Sequence, residues 1–204
     1  ADVDFRVESN GNANMLVVDG GNNRVGVGTN TPVTLLHLQG SEPDIFLRRT
    51  DLTNKSWRLN VQSSTGDLNI KSRNDDGSAS TTSMVIAHDG YVTKPLQPAF
   101  LAQNASQQSN IGTGAVTIVF GTEIFDQNAD FASNTFTAPV TGRYQLSLVL
   151  NFKDIDQDIA GMDVAIQTSN RGFYQTFDPD IFDQDAPFFC ISMSILADMD
   201  ASDT

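Results

Sequence analysis

The stretch MLVVDGGNNRVGVGTNTP, residues 15–32, opens like a nucleotide-binding loop: a short apolar run, a cluster of glycines, then Gly-Val-Gly-Thr. A phosphate-cradling glycine loop works because a helix follows it, whose N-terminus aims N–H donors at the ligand. Here Gly28-Thr29 leads into Asn30-Thr31-Pro32 and then VTLLHLQGSEP, with no helix start and prolines close by. Glycines in such a setting let backbones approach closely, in a β-turn or at a crowded axis. The motif reads as architecture.

Working outward, the same grammar recurs. Phe5 and Val7 alternate with polar neighbours before Asn10-Gly11, and Met15 and Val17 alternate before Asp19-Gly20 and then Val25 and Val27. Further on, Trp57, Leu59 and Val61 alternate, Thr65-Gly66-Asp67 turns, and Leu68 and Ile70 follow. Met84 and Ile86 then lead to Asp89-Gly90 and Tyr91-Val92. Apolar residues at every second position between turn dipeptides specify short strands. FRVESNGNANMLVVDGGNNRV and LNIKSRNDDGSASTTSMVIAHDGYV share one plan: an apolar pair, a polar loop, a Met-containing strand, an Asp-Gly turn, a Val. Repeated hairpin-sized units indicate an elongated repeat architecture.

Strands carrying two or three apolar residues each cannot enclose a core alone. Three copies wound about one axis would bury the alternating residues and leave the polar set in water. The expectation for residues 1–94 is a homotrimeric β-rich shaft.

Composition narrows the class. Of 204 residues, 39% are hydrophobic and 18% charged, a balance suited to extracellular β-proteins with uncharged polar faces. Residues 1–94 hold nine Lys/Arg against eleven Asp/Glu and residues 95–204 hold three against fourteen, which makes up the net charge of −13. So acidic a second half repels phosphate backbones and anionic bilayers, so nucleic acid is not an expected partner. No apolar run is long enough to span a bilayer, and membrane insertion is not expected. The chain begins at Ala1, which reads as a processed product or a fragment. Its one cysteine, Cys190 in APFFCISMSIL, reads as a small core residue.

From Pro95 the texture changes. TGRYQLSLVLNF puts Tyr144, Leu146, Leu148, Leu150 and Phe152 on one face of a strand, and Met162, Val164 and Ile166 form a second stripe. FFCISMSIL, apolar on both faces, reads as a central strand. Segments of this length without helices indicate an antiparallel sandwich or jelly roll over residues 95–204.

Two resemblances attach to these residues. VDGGNNRVGVGTNTP with WRLNV, GDLNI and MVIAHDGYV resembles the repeated neck segments of bacteriophage tail fibres and related trimeric surface fibres, over roughly residues 5–94. PAFLAQ…AVTIVFGTEIFDQNADFASNTFTAPVTGRY resembles the globular head of the complement subcomponent-q family, a jelly roll of the tumour-necrosis-factor type. The matching residues are Phe100, Ala102, Phe120 at the end of an implied strand in AVTIVF, Asn128, Phe131, then Phe136, Thr137, Ala138, Pro139, Gly142 and Tyr144. ILADMDASDT resembles that family's acidic turn before its last strands, and the family's sheet continues with further strands, so the resemblance implies a chain truncated at Thr204.

The candidate sites lie in this half. Asp154, Asp156 and Asp158 alternate in KDIDQDIAG, and Asp178 and Asp180 precede Asp183 and Asp185 in FDPDIFDQD; spaced carboxylates suit calcium. An EF-hand is excluded, because Gly161 is displaced and no closing Glu follows. Otherwise these aspartates are a solvated acidic loop, and no cofactor is expected beyond that possible calcium. Arg171, Phe173 and Tyr174 in RGFYQTF form a candidate binding patch in a loop, or else core. Paired carboxylates can hydrolyse glycans, but depolymerising spikes use a long β-solenoid that is missing here. His37 and His88 read as structural. No catalytic residue is expected.

The expectation is thus a non-enzymatic, all-β, homotrimeric fibre segment: a shaft over 1–94, a jelly-roll head over 95–204, and attachment to a host-surface receptor or glycan. Its setting is a virion appendage such as a phage tail fibre, with other fibre or tail proteins as neighbours. The alternative is a secreted or cell-surface bacterial adhesin.

Overall fold

A computed structural model describes residues 4–204. The fold is all-β; the one helical element among the described residues is a single 3-10 turn, Pro179–Ile181. No helix among them is long and apolar enough to cross a membrane. The chain divides into two compact units, residues 1–97 and 98–204.

The first unit holds two sheets. Strands β1 (Phe5–Ser9), β2 (Asn12–Asp19), β3 (Arg24–Val27) and β4 (Leu36–Leu38) form one in sequential order, antiparallel until β3 and β4, which run parallel. Strands β5 (Asp44–Leu47), β6 (Ser56–Val61), β7 (Leu68–Arg73), β8 (Ser80–Ile86) and β9 (Val92–Thr93) form an antiparallel meander. The two repeats of the sequence correspond to β1–β2–β3 and β7–β8–β9, each a strand, loop, strand, Asp-Gly turn and strand.

The opening motif is explained by close approach. A Cβ on Gly26 would stand 2.4 Å from the Thr29 carbonyl oxygen, and one on Gly28 would stand 2.1 Å from that of Gln39. Gly28 also has φ of +81°, where side chains are strained. Its N–H donates to Asn14, while Gln39 donates back to Val27, so the turn is stitched to both neighbours. Val17, opposite Gly26, is buried beneath it.

The second unit is built of two-stranded ribbons: β10 (Ala99–Gln103) with β11 (Thr122–Gln127), β12 (Phe131–Ala132) with β13 (Thr135–Phe136), β14 (Gly142–Ile155) with β17 (Ala186–Met199), and β15 (Met162–Gln167) with β16 (Gly172–Phe177). β14 and β17 are the longest, 14 residues each. Tyr144, Leu146, Leu148, Leu150 and Phe152 all turn to the inner side, as their alternation requires. Two apolar clusters fill the sandwich-like interior. One gathers Phe131, Phe136, Ala138, Ala197 and Met199, with Phe100 stacked 4.5 Å from Phe131. The other joins Leu150, Val164 and Ile191, flanked by Phe152, Phe177 and Phe189.

Pro139 and Gly142 bracket a turn, and Tyr144 closes it: its hydroxyl donates to the Val140 carbonyl at 2.5 Å while its ring lies 5.3 Å from Phe136. At the end of the chain, the Ala138 N–H donates to the Asp203 carbonyl and the Ser202 N–H to that of Ala138, both at 2.8 Å. The acidic turn is thereby tied to the same corner.

Two sequence expectations are corrected. AVTIVF does not form a strand ending at Phe120; the strand is displaced to β11. The segment's polar groups go to side chains instead: Gln108 bridges the Thr117 carbonyl and the Val119 N–H, and Asn134 accepts from the Phe120 N–H at 2.7 Å. FFCISMSIL is not covered on both sides either. Phe188 and Leu196 are exposed, and so is Cys190, because β17 pairs only with β14 and no described residue of the second unit packs on their outer side.

Candidate functional site

The five-stranded sheet of the first unit is inverted relative to an ordinary half-buried sheet. Cross-strand partners share a face. Register therefore places Ile45 and Leu47 of β5, Trp57, Leu59 and Val61 of β6, and Leu68 and Ile70 of β7 together, with Met84, Ile86 and Val92 continuing the stripe. Among these, Ile45, Leu47, Trp57, Val61, Leu68 and Val92 are 36–56% exposed.

The opposite face is mostly polar, with Phe46 partly exposed on it. Ser56, Asn60 and Asn69 are 1–2% exposed. Ser56 donates to Asp75 at 2.8 Å, Asn60 to Glu42 at 2.7 Å and Asn69 to Gln62 at 3.0 Å. Arg58 bonds Asp44 at 2.7 Å through Nε, and Arg73 lies over the Phe46 ring. Those hydrogen bonds offset much of the desolvation of the polar groups, with Asn60 Oδ1 left buried and unpartnered, whereas the apolar side stays open among the described residues.

The four-stranded sheet also leaves an apolar face open, while its other face buries Val17. Phe5, Val7, Leu16, Val18, Val25, Val27, Leu36 and Leu38 share a face by register, and Phe5, Val7, Val27 and Leu36 are exposed. In the second unit, the outer side of the β14–β17 ribbon carries Val149, Phe188 and Leu196, each more than half exposed, around Ser147, Ser194 and Gln145 linked by hydrogen bonds. A contiguous uncovered apolar face marks an interaction surface rather than scattered surface apolarity.

The residues singled out from sequence are not brought together. RGFYQTF is not a loop: residues 172–177 are β16, so Phe173 and Tyr174 point to opposite sides. Phe173 packs against the first apolar cluster and Tyr174 is exposed. Arg171 is held by Asp198 at 2.7 Å, beside Asn170, which bonds Asp203 at the same distance. The three do not form one patch.

The aspartates serve their own backbone. Asp156 accepts from the Asp158 N–H at 2.9 Å, Asp178 caps the 3-10 turn by accepting from the Asp180 N–H at 3.1 Å, and Asp185 accepts from Gln157 at 3.1 Å. Asp154 ends β14 in the left-handed region, φ 53°. Among the described residues no three His, Cys, Asp or Glu side chains converge as a metal cage. His37 sits in β4 with its Nδ1 buried and unpartnered, and the His88 N–H donates to Asp67.

Sequence reasoning passed over Asp126 and Asp130. Asp126 accepts from the N–H groups of Asp130 and Phe131, which fixes the turn into the aromatic core. Asp130 keeps a buried, unpartnered Oδ2; that burial, with Asp126 nearby, raises its carboxyl above the usual range. The D-x-N-x-D spacing of residues 126–130 was the available signal.

Comparison with protein-family models and with curated protein sequences finds no match.

Proposed function

We propose that this chain is a structural and attachment segment of a homotrimeric fibre, a virion appendage of the tail-fibre kind. The first unit serves as shaft, and the second is a jelly-roll head whose loops meet a host-surface receptor or glycan. One observation carries the reading: the five-stranded sheet of the first unit gives its buried Ser56, Asn60 and Asn69 hydrogen-bond partners within the chain, and both sheets of that unit leave apolar faces open. Burying apolar surface contributes about 25 cal/mol per Å², so such faces favour association strongly. Identical copies around an axis present each other with the same faces at the same height, the closed symmetric arrangement by which chains of one sequence assemble.

The test is solution mass by sedimentation equilibrium, with and without a calcium chelator. A chain of 22.1 kDa forming trimers gives about three times that mass. A mass of one chain at micromolar concentration overturns the fibre reading, and a trimer that dissociates on chelation assigns the acidic loops to calcium.

A further inference from the structure

The loop from β5 to β6, residues 48–55, reads RRTDLTNK: three cationic residues and one carboxylate within a chain of net charge −13. Leu47, Arg48, Arg49, Leu52, Lys55 and Trp57 line an open cleft of about 440 Å³, within the usual range for small-ligand sites. Arg49 is spoken for, bonding Asp51 at 2.6 and 2.8 Å. Among the described residues the Arg48 side chain makes no hydrogen bond or ion pair and acts on Asp75 through its field. Lys55, among the described residues, likewise makes no ion pair.

The wall is fixed rather than loose. Asn54, in the left-handed region at φ 54°, donates its N–H to Asp75 at 3.0 Å and accepts from the Asp75 N–H at 3.2 Å. Ser56, fully buried, donates to the same carboxylate. This reciprocal clamp pins the loop to the β7–β8 turn and sets Lys55 and Trp57 on either side of Ser56. Trp57 is 44% exposed, opposite Leu47 in register, so an indole and two leucines offer a flat apolar floor.

We infer that this cleft binds a carboxylated sugar unit of an acidic polysaccharide. The apolar floor takes the C–H face of the ring, and Arg48 and Lys55 take its carboxylate through charge-assisted hydrogen bonds. Two uncompensated cations suit a polymer with sparse charge. A densely charged phosphate backbone would face the repulsion of the whole acidic chain. The inference adds a ligand site on the first unit rather than the head, and it shares Leu47 and Trp57 with the apolar face that the fibre reading places between copies, so one sample tests both.

Trp57 is the chain's only tryptophan, so its fluorescence reports the cleft directly in the full chain. Titration with a hyaluronan hexasaccharide should change the emission saturably and in a salt-sensitive way, and neutral chitohexaose should not. Arg48→Ala with Lys55→Ala, both exposed loop positions, should weaken the response about tenfold or more, while Arg48→Lys with Lys55→Arg retains most of it. The inference is overturned by an emission indifferent to hyaluronan, including a blue-shifted one from an indole covered by another copy. An equal response to the neutral sugar overturns it, as does one that survives the double alanine change, or one given only by phosphatidylserine vesicles. Mass measured on the same sample separates the two readings: a single chain that binds hyaluronan upholds the cleft and sinks the trimer.

Discussion

The two units solve one problem in opposite ways. Residues 98–204 turn their aromatics inward: Phe100, Phe131, Phe136 and Tyr144 touch one another, and Ala197 is fully buried. Residues 4–97 bury Ser56, Asn60, Asn69 and a single valine, Val17, and leave Leu47, Trp57 and Val61 outside. Similar strands with similar alternation thus give a unit with its own core and a unit whose apolar surface is left for something else. Alternation specifies that a strand has two faces; it does not specify which face the chain itself covers.

The largest effect expected from breaking this contrast is on assembly. Leu59 and Ile70 oppose each other at the centre of the open face. Replacing both by Asp should reduce the sedimentation mass to that of one chain while far-UV circular dichroism keeps its β signature. An unchanged mass would mean that this face is not what joins the copies.

Next comes the aromatic core of the other unit. Phe131→Ala removes a ring 8% exposed and stacked on Phe100, and should cost about 3–5 kcal/mol. Calorimetry should show the transition of residues 98–204 shifted down and that of residues 1–97 in place. A shift of both together would show that the units unfold as one.

Gly28→Ala tests the turn that opened the sequence reading. With φ at +81° and the Gln39 carbonyl at 2.1 Å from the new Cβ, the substitution should cost about 1–3 kcal/mol, read as a lower denaturant midpoint. A neutral result would remove the close-approach explanation of the glycines.

The smallest effect sharpens the comparison through pH. Asp75 is held below the usual carboxylate range, first by the Asn54 N–H and then by the Ser56 hydroxyl. The Thr65 hydroxyl and then the His88 N–H lower Asp67 in the same way. A depressed carboxyl contributes stability that is present above its unfolded pKa and lost as pH falls through the folded one. Asp130 has the opposite sign: its raised carboxyl favours the folded state as pH falls through the folded pKa. Acidification below about pH 4 should therefore lower the melting of residues 1–97 more than that of residues 98–204. Asp75→Asn should flatten the first unit's acid limb, and equal slopes in both units would contradict the assignment.

Much of this was legible in the residues. Asp19-Gly20 and Asp89-Gly90 marked turns, and the repeat they bound emerged as two matching three-strand meanders. The stripe from Tyr144 to Phe152 lies inside because five apolar residues at period two leave one consistent orientation. The missing helix after Gly28 excluded a phosphate loop.

Other features were decided by distant segments. AVTIVF has strand-forming residues, yet Gln108 and Asn134 take its backbone groups, and side-chain capture from positions far along the chain leaves no periodic trace. Cys190 and Phe188 look like core because they sit in an apolar run; which side of a ribbon is covered depends on what packs there. The basic cleft depends on the Asn54–Asp75 clamp, a pairing across 21 positions that fixes the loop carrying Lys55 to the β7–β8 turn.

The sequence by itself determined an all-β chain, its turns, its change of texture at Pro95 and the architectural role of its glycines, because each of these follows from neighbours within a few residues. Only the tertiary structure decided which faces are buried, where Arg171, Phe173 and Tyr174 point, and that Asp185 accepts from the distant Gln157 N–H. Those outcomes depend on solvation and packing between segments far apart in the chain, and local alternation is the same whichever face water keeps.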